Sequence, residues 1–200
     1  MYSGTITSFE GVRLMGCDLA HLSFTEERFN KARLERADLT DTNLSSAVFV
    51  KSCLTRALFV DADLRYAKFS ECDLVGCVFR HADLPYANFT AVNLTNASLR
   101  DSFCAGTLFQ KSCMRSTDFT GAVLMQAKFQ ECDLRNAILL PREYAGENRY
   151  LNVHFTGADI RGALVNWTEV GKLEQALFRH AKVTEEQYRQ VCSCSCTLIE

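Results

Sequence analysis

The sequence has little of what most functional motifs are built from. It holds four histidines, His21, His81, His154 and His180, dispersed along the chain. No glycine-rich phosphate loop and no nucleophile elbow occurs, which leaves nucleotide transfer and serine-type acyl transfer without a recognisable anchor. No stretch approaches the 18 apolar residues that a membrane-spanning helix needs. The opening residues, Met1-Tyr-Ser-Gly-Thr-Ile, lack a basic segment followed by an apolar run, so no secretory signal is expected. Neither sign of charge dominates. Twenty-four acidic residues against 22 Lys and Arg leave a net charge of -2 and a pI near 6.1. Nothing global therefore points to direct nucleic-acid contact or to an acidic substrate. A cytoplasmic protein without metal, cofactor or membrane contact is the expectation.

What the sequence has is a period. From Phe9 to Leu139 every fifth residue is apolar, and the residue two before it is mostly Ala, Cys, Ser or Thr. The middle of the run reads Phe49, Leu54, Phe59, Leu64, Phe69, Leu74, Phe79, Leu84, Phe89 and Leu94, the expected core. A period of five matches neither the 3.6 of a helix nor the 2 of a strand. Two inward residues flanking one outward residue make a short extended segment, and the remaining two must turn a corner. A repeat of this kind defines the whole fold.

Stretches such as Ala62-Asp-Leu-Arg-Tyr and Ala82-Asp-Leu-Pro-Tyr resemble the A-(D/N)-L-x-x pattern of the pentapeptide-repeat family over about two-thirds of the chain. The resemblance implies an all-β fold, a right-handed quadrilateral β-helix with twenty residues per coil, stacked at ~4.8 Å. About eight coils are expected. Phe falls at positions ending in 9, so two opposed faces should supply Phe and the other two Leu. Leu19 followed by Phe24 exchanges the sizes within one coil.

The β-helix is expected over residues 1–183, interrupted by a loop at 140–152 where Pro141, Gly146 and a polar run break the frame. Residues 184–200 then form a C-terminal helix and tail. Thr184-Glu-Glu-Gln187 is a capping-box signature, and a helix there would close the end of the core, as a solenoid requires.

Few residues invite chemistry. Asp38, Asp63, Asp73, Asp83 and Asp133 occupy the position where the repeat itself asks for Asp or Asn. His21 and His81 would share a face three coils apart, ~14 Å, too far for a common metal. Cys17, Cys72, Cys77 and Cys132 read as small inward fillers. Glu27 breaks the rule at a small inward position, read as a bulge or a splayed coil, with a functional buried carboxylate as the alternative. The asparagines of Asn-x-Ser/Thr triplets (Asn43, Asn88, Asn93, Asn96) fall out of the repeat. Cys192, Cys194 and Cys196 read as a tail outside it, with thiol modification or metal capture as the alternative.

The outward residues carry the functional expectation. Tyr66, Tyr86, Phe103, Val123 and Met125 follow one another along one face, and the loop with Tyr144 and Tyr150 should emerge beside them. A contiguous apolar patch of this kind marks a partner site. Members of the family of similar size bind DNA gyrase and topoisomerase IV and protect them from quinolones. The resemblance thus implies a non-enzymatic protein whose partner is a type II topoisomerase, with antibiotic resistance as the outcome and a homodimer through the C-terminal end. The alternative is an interaction scaffold, or a secreted effector, with another protein partner.

Overall fold

A computed structural model describes residues 9–142, 152–166, 178 and 180–193, with the side chains of 191–193 left aside. The chain forms a β-solenoid. Six three-residue strands make one parallel sheet in chain order: β1 (Arg28–Asn30), β2 (Val48–Val50), β3 (Lys68–Ser70), β4 (Asn88–Thr90), β5 (Leu108–Gln110) and β6 (Lys128–Gln130). Each strand pairs with the next at an offset of twenty residues, as Phe49 does with Phe69. The other three sides are held by isolated parallel bridges at the same offset, such as Asp63 with Asp83 and Leu58 with Val78.

Four corners per coil follow from backbone geometry. Every fifth residue from Gly11 to Asn136 has a positive φ, between 52 and 72°. At most corners the amide three residues beyond the central residue donates to its carbonyl, as Ala57 does to Leu54 at 2.8 Å, the bond of a type II turn. The corner after the Phe strand lacks that bond. There a side chain of the next coil enters the open turn: the Ser52 hydroxyl donates to the Phe29 carbonyl at 2.7 Å and accepts from the Ala32 amide at 3.0 Å. Ser112 does the same for Phe89 and Val92. Cys72 and Cys132 hold the equivalent position and point at the Phe49 and Phe109 carbonyls, while Val92 holds it without a polar group.

The central residues fill the interior. Phe49, Leu54, Phe59, Leu64, Leu74, Phe79, Leu84, Phe89 and Leu94 are fully buried, and Phe69 is almost so. One side carries an unbroken column of stacked rings from Phe9 through Phe29, Phe49, Phe69, Phe89, Phe109 and Phe129 to Phe155 and Phe178, with centroids 4.6 to 5.3 Å apart. The opposite side is mixed: Leu19, Leu39, Phe59, Phe79, Leu99, Phe119 and Leu139. The expected pair of Phe faces is thus one complete column and one partial column. Where both carry Phe, the rings meet edge to face, as Phe59 and Phe69 do at 6.2 Å.

The frame break at 140–152 lengthens one coil. Phe155 stacks on Phe129, an offset of 26 rather than twenty, and Asp133 pairs with Asp159. β7 (Ile138–Leu139) pairs with β8 (Leu164–Val165) at the same offset. Phe178 and Lys182 then continue the stack at an offset of 23. The solenoid absorbs both insertions and keeps its core column.

A helix, α1 (Glu185–Ser193), follows the last coil. The capping box closes as expected. Gln187 donates its amide to the Thr184 hydroxyl at 3.1 Å, and its Oε1 accepts from the Thr184 amide at 2.9 Å. Its Nε2 donates to the carbonyls of Ile160 at 3.0 Å and Ala163 at 3.1 Å. One side chain therefore caps the helix and fastens it to the last coil.

Glu27 forms neither a bulge nor a buried carboxylate. Its amide makes the ordinary turn bond to Phe24, its carbonyl accepts from Val48, and the residue is half-buried near the N-terminal edge of the stack.

Candidate partner-binding surface

The side of the rod centred on Leu44, Leu64, Leu84, Cys104 and Leu124 holds the expected site. Tyr66 and Tyr86 stand at its corner, in the left-handed region with φ of 60 and 57°. They lie one coil apart, with rings stacked at 5.6 Å and 11°. Each is more than half exposed, at 56 and 57%. A bulky residue rarely takes this backbone conformation, yet the repeat imposes it at every corner and aims the ring outward.

Corner side chains that stand one coil before a glycine corner lean over it. Tyr86 lies across Gly106, Asp101 across Gly121 and Asn136 across Gly162, and Arg56 packs beside Gly76. The tyrosine track therefore extends over Gly106, where no side chain competes for the space. Beside it, Arg65 is gripped by Asp63 through two hydrogen bonds of 2.9 and 2.6 Å. The Arg65 guanidinium holds the Asp63 carboxyl below its ordinary range, against the upward push of burial.

Phe103 and Met125 are half-buried. Val123 differs from expectation: it sits at an outward position but is fully buried, and it is not part of the core cluster. The chain leaving the last regular coil runs past this point. The Arg142 amide donates to the Ala122 carbonyl at 2.9 Å, and Pro141 is buried. Val123 is thereby removed from any partner surface. Tyr144 and Tyr150 lie outside the described residues.

Four of the five repeat aspartates hold their own turns; Asp83 precedes Pro85, which has no amide to donate. Asp38, Asp63, Asp73 and Asp133 each accept a hydrogen bond from the amide two residues on, as Asp38 does from Thr40 at 3.0 Å. Arginines add to this on the side centred on Leu134. Asp133 accepts from Arg135 at 2.7 Å and from Arg115 at 2.5 Å, and Asp159 accepts from Arg161 at 2.6 Å, with Arg135 3.7 Å away. The hydrogen bond from Arg135 leads in holding Asp133 far below the usual carboxylate range.

The described thiols are unbridged, and four of them are poorly nucleophilic. Burial pushes Cys72 up to about 11 and Cys77, Cys104 and Cys132 to about 12, so these stay protonated at neutral pH. Cys72, Cys77 and Cys132 point at carbonyls of the preceding coil, as Cys77 does at Leu54, 2.9 Å away. Cys17 is only half-buried. Cys194 and Cys196 lie outside the described residues. Among the described residues no three His, Cys, Asp or Glu side chains are grouped to hold a metal ion. No helix of the described residues is long and apolar enough to cross a membrane.

Four-sided coils, left-handed corners and a small-and-large inward pair define a repeat β-solenoid. Family comparison agrees: residues 8–89 match the pentapeptide repeat region, and residues 87–126 and 102–139 match the eight-copy pentapeptide repeats. The chain belongs to the pentapeptide-repeat family. Among solved structures, a trypsin-treated form of QnrB1, a plasmid-mediated fluoroquinolone resistance protein, is 17% identical with a TM-score of 0.49. The alignment covers 96% of this chain and 91% of that one. Full-length QnrB1 is 17% identical with a TM-score of 0.41, over 93% of this chain and 98% of that one. HetL, a pentapeptide repeat protein of heterocyst differentiation regulation from the cyanobacterium Nostoc, is 22% identical with a TM-score of 0.33, over 88% and 84%. No curated protein matches the chain.

Proposed function

We propose that this is a non-catalytic cytoplasmic protein that binds a protein partner through its rod surface, and that the partner is a type II topoisomerase, DNA gyrase or topoisomerase IV, which it protects from quinolone-type poisons. The observation that carries the binding reading is the exposed, stacked pair Tyr66 and Tyr86 on a rigid corner. Two aromatic rings fixed by the backbone lose little freedom when covered, which is the economy of a binding hot spot. Phe103 and Met125 border the pair on the same side. The choice of topoisomerase and the resistance outcome rest on family membership.

With acids and bases nearly balanced, recognition here does not rest on a uniformly acidic rod standing in for DNA. The aromatic corner is the anchor instead. A gyrase supercoiling assay with and without ciprofloxacin tests the reading. Supercoiling that persists in the drug when the chain is added supports it. No protection sinks the topoisomerase partner and favours a scaffold, or a secreted effector, with another protein partner.

A further inference from the structure

Asp83 is out of step with its column. It stands just before the central residue on the tyrosine side, where the coils before it carry Ser23, Asn43 and Asp63. Each of those three bonds the residue two further on. Ser23 meets the Thr25 hydroxyl at 3.2 Å, Asn43 accepts from the Ser45 amide and hydroxyl at 3.1 and 2.8 Å, and Asp63 accepts from the Arg65 amide at 3.1 Å. Asp83 has Pro85 in that place, and proline has no amide to donate. Among the described residues no hydrogen bond or ion pair reaches the Asp83 carboxylate, and the residue is exposed. Tyr86 follows at the corner of the same coil, and the half-buried Phe103 pairs with Asp83 from the next coil.

We infer that Asp83, Pro85, Tyr86 and Phe103 form a slot for one cationic side chain, a lysine or arginine presented by the protein partner. The inference rests on the reading that the tyrosine corner binds a protein, and it names what that protein must offer. A carboxylate bordered by proline and aromatic rings loses water when a partner covers the corner. Left unpaired there, its charge costs far more than when a cation meets it. A lysine or arginine matches both parts of the slot. Its apolar stem lies along Pro85 and Tyr86 while the charged head reaches Asp83. An acidic segment would meet Asp83 and Asp63 with its own sign, and a purely apolar one would bury Asp83 without a partner.

The bases already present do not fill this role. Arg65 is drawn chiefly to Asp63 and more weakly to Asp83, and the hydrogen bonds of its guanidinium go to Asp63. Two carboxylates thus share one guanidinium. Arg80 is exposed on the neighbouring side, before the corner at His81, and Lys68 stands past Tyr66 on β3. Asp61 and Asp101, which hold that same corner in the coils on either side of His81, add negative charge near Asp83.

NMR titration of the full chain tests it, reading the Tyr66 and Tyr86 ring signals. The probes are blocked tripeptides with lysine, arginine, norleucine or glutamate between two glycines. The two basic peptides should shift the rings and bind about two- to fivefold tighter than the norleucine peptide, with the glutamate peptide weakest. That gap should narrow at ~0.5 M salt. Asp83→Asn, a residue the column itself carries at Asn43, should bring the basic peptides down to the norleucine level. Equal binding of the lysine and norleucine peptides overturns the inference, and so does a lysine preference that Asp83→Asn retains. Rings that no peptide shifts overturn it too. If thermal melting shows Asp83→Asn unfolded, the lysine-to-norleucine gap on the native chain and its salt dependence decide alone. The partner reading fails separately. Full partner affinity in Tyr86→Ala, beside a native chain that still prefers the lysine peptide, defeats that reading and leaves the slot standing.

Discussion

Tyr86 occupies the space that a side chain at residue 106 would need. A Cβ built on Gly106 would stand 2.6 Å from the Tyr86 ring. The two residues hold equivalent corners of consecutive coils, so the ring's position is set by the absence of a neighbour. Gly106→Ala should push the ring off its perch. The backbone cost is small, about 1 kcal/mol or less, because the same left-handed corner carries non-glycine residues along most of the rod. The exposed ring can swing away. The expected outcome is a nearly unchanged melting temperature together with a changed Tyr86 ring environment by NMR; an unchanged ring signal would show that Gly106 does not place it.

Tyr86→Ala, or deletion of residues 142–150, should weaken partner binding by ~1–3 kcal/mol while leaving the melt intact. Tyr66 stacks on Tyr86 from the preceding coil, so the double variant should lose less than the sum of the two singles. The measurement is affinity for whichever partner the supercoiling assay supports. Full affinity in both the Tyr86 variant and the deletion would move the site off this corner.

Cys104 is the smallest central residue between Leu84 and Leu124, and its coil is repacked around it. Thr107 and Ser102 take inward positions that Ala holds in the coil before, and Phe109 tilts 17° from Phe89, where Phe49 and Phe69 differ by 2°. The volume missing at Cys104 has thus been made up next door. Cys104→Leu alone should overpack and cost about 1–3 kcal/mol. Adding Thr107→Ala should recover part of that loss, because it vacates volume, although it leaves the Leu84 carbonyl without its 2.7 Å partner. Denaturant melts of the two singles and the double would show the coupling, and simple additivity would refute the compensation.

Acid should loosen the C-terminal half of the rod. Asp133 and Asp159 titrate below their ordinary range, chiefly through hydrogen bonds from Arg135 and Arg161. A folded value below the unfolded one means the stabilisation is complete above the unfolded pKa, ~3.9, and fades as pH falls through the folded one. Stability should be flat from neutral pH to about 5 and decline below ~4. Asp133→Asn should cost about 1 kcal/mol at pH 7 and flatten the acid limb. An acid limb of unchanged slope in that variant would assign the sensitivity to other carboxylates.

The repeat was readable because one spacing carries it: the apolar fifth residue places the core, and the small residue before it places the close approach of backbone. Thr184 to Gln187 was readable for the same reason, being a local pattern with a local bond. Val123 was not. Its burial depends on where the chain travels after Leu140, and a period says nothing about a segment that leaves it. Nor does spacing reveal that Tyr86 leans over Gly106 of the following coil.

Gln187 joins the helix to the solenoid in two chemically separable ways, and substitutions can divide them. Its Oε1 and amide close the capping box with Thr184, while its Nε2 donates to the Ile160 and Ala163 carbonyls. Gln187→Ala removes both and should cost about 1–3 kcal/mol locally. Gln187→Glu keeps an acceptor for the Thr184 amide but replaces the docking donor with an oxygen facing two carbonyls. The helix should then remain capped but undock. Because α1 sits at the end of the stack, either loss should appear as local opening and not as global unfolding. Hydrogen exchange is the measurement. Amides of 188–193 should exchange faster in both variants, while those of the Phe49 to Phe109 coils stay protected. Equal protection of the helix in Gln187→Glu and the native chain would show that the two carbonyl contacts do not hold it.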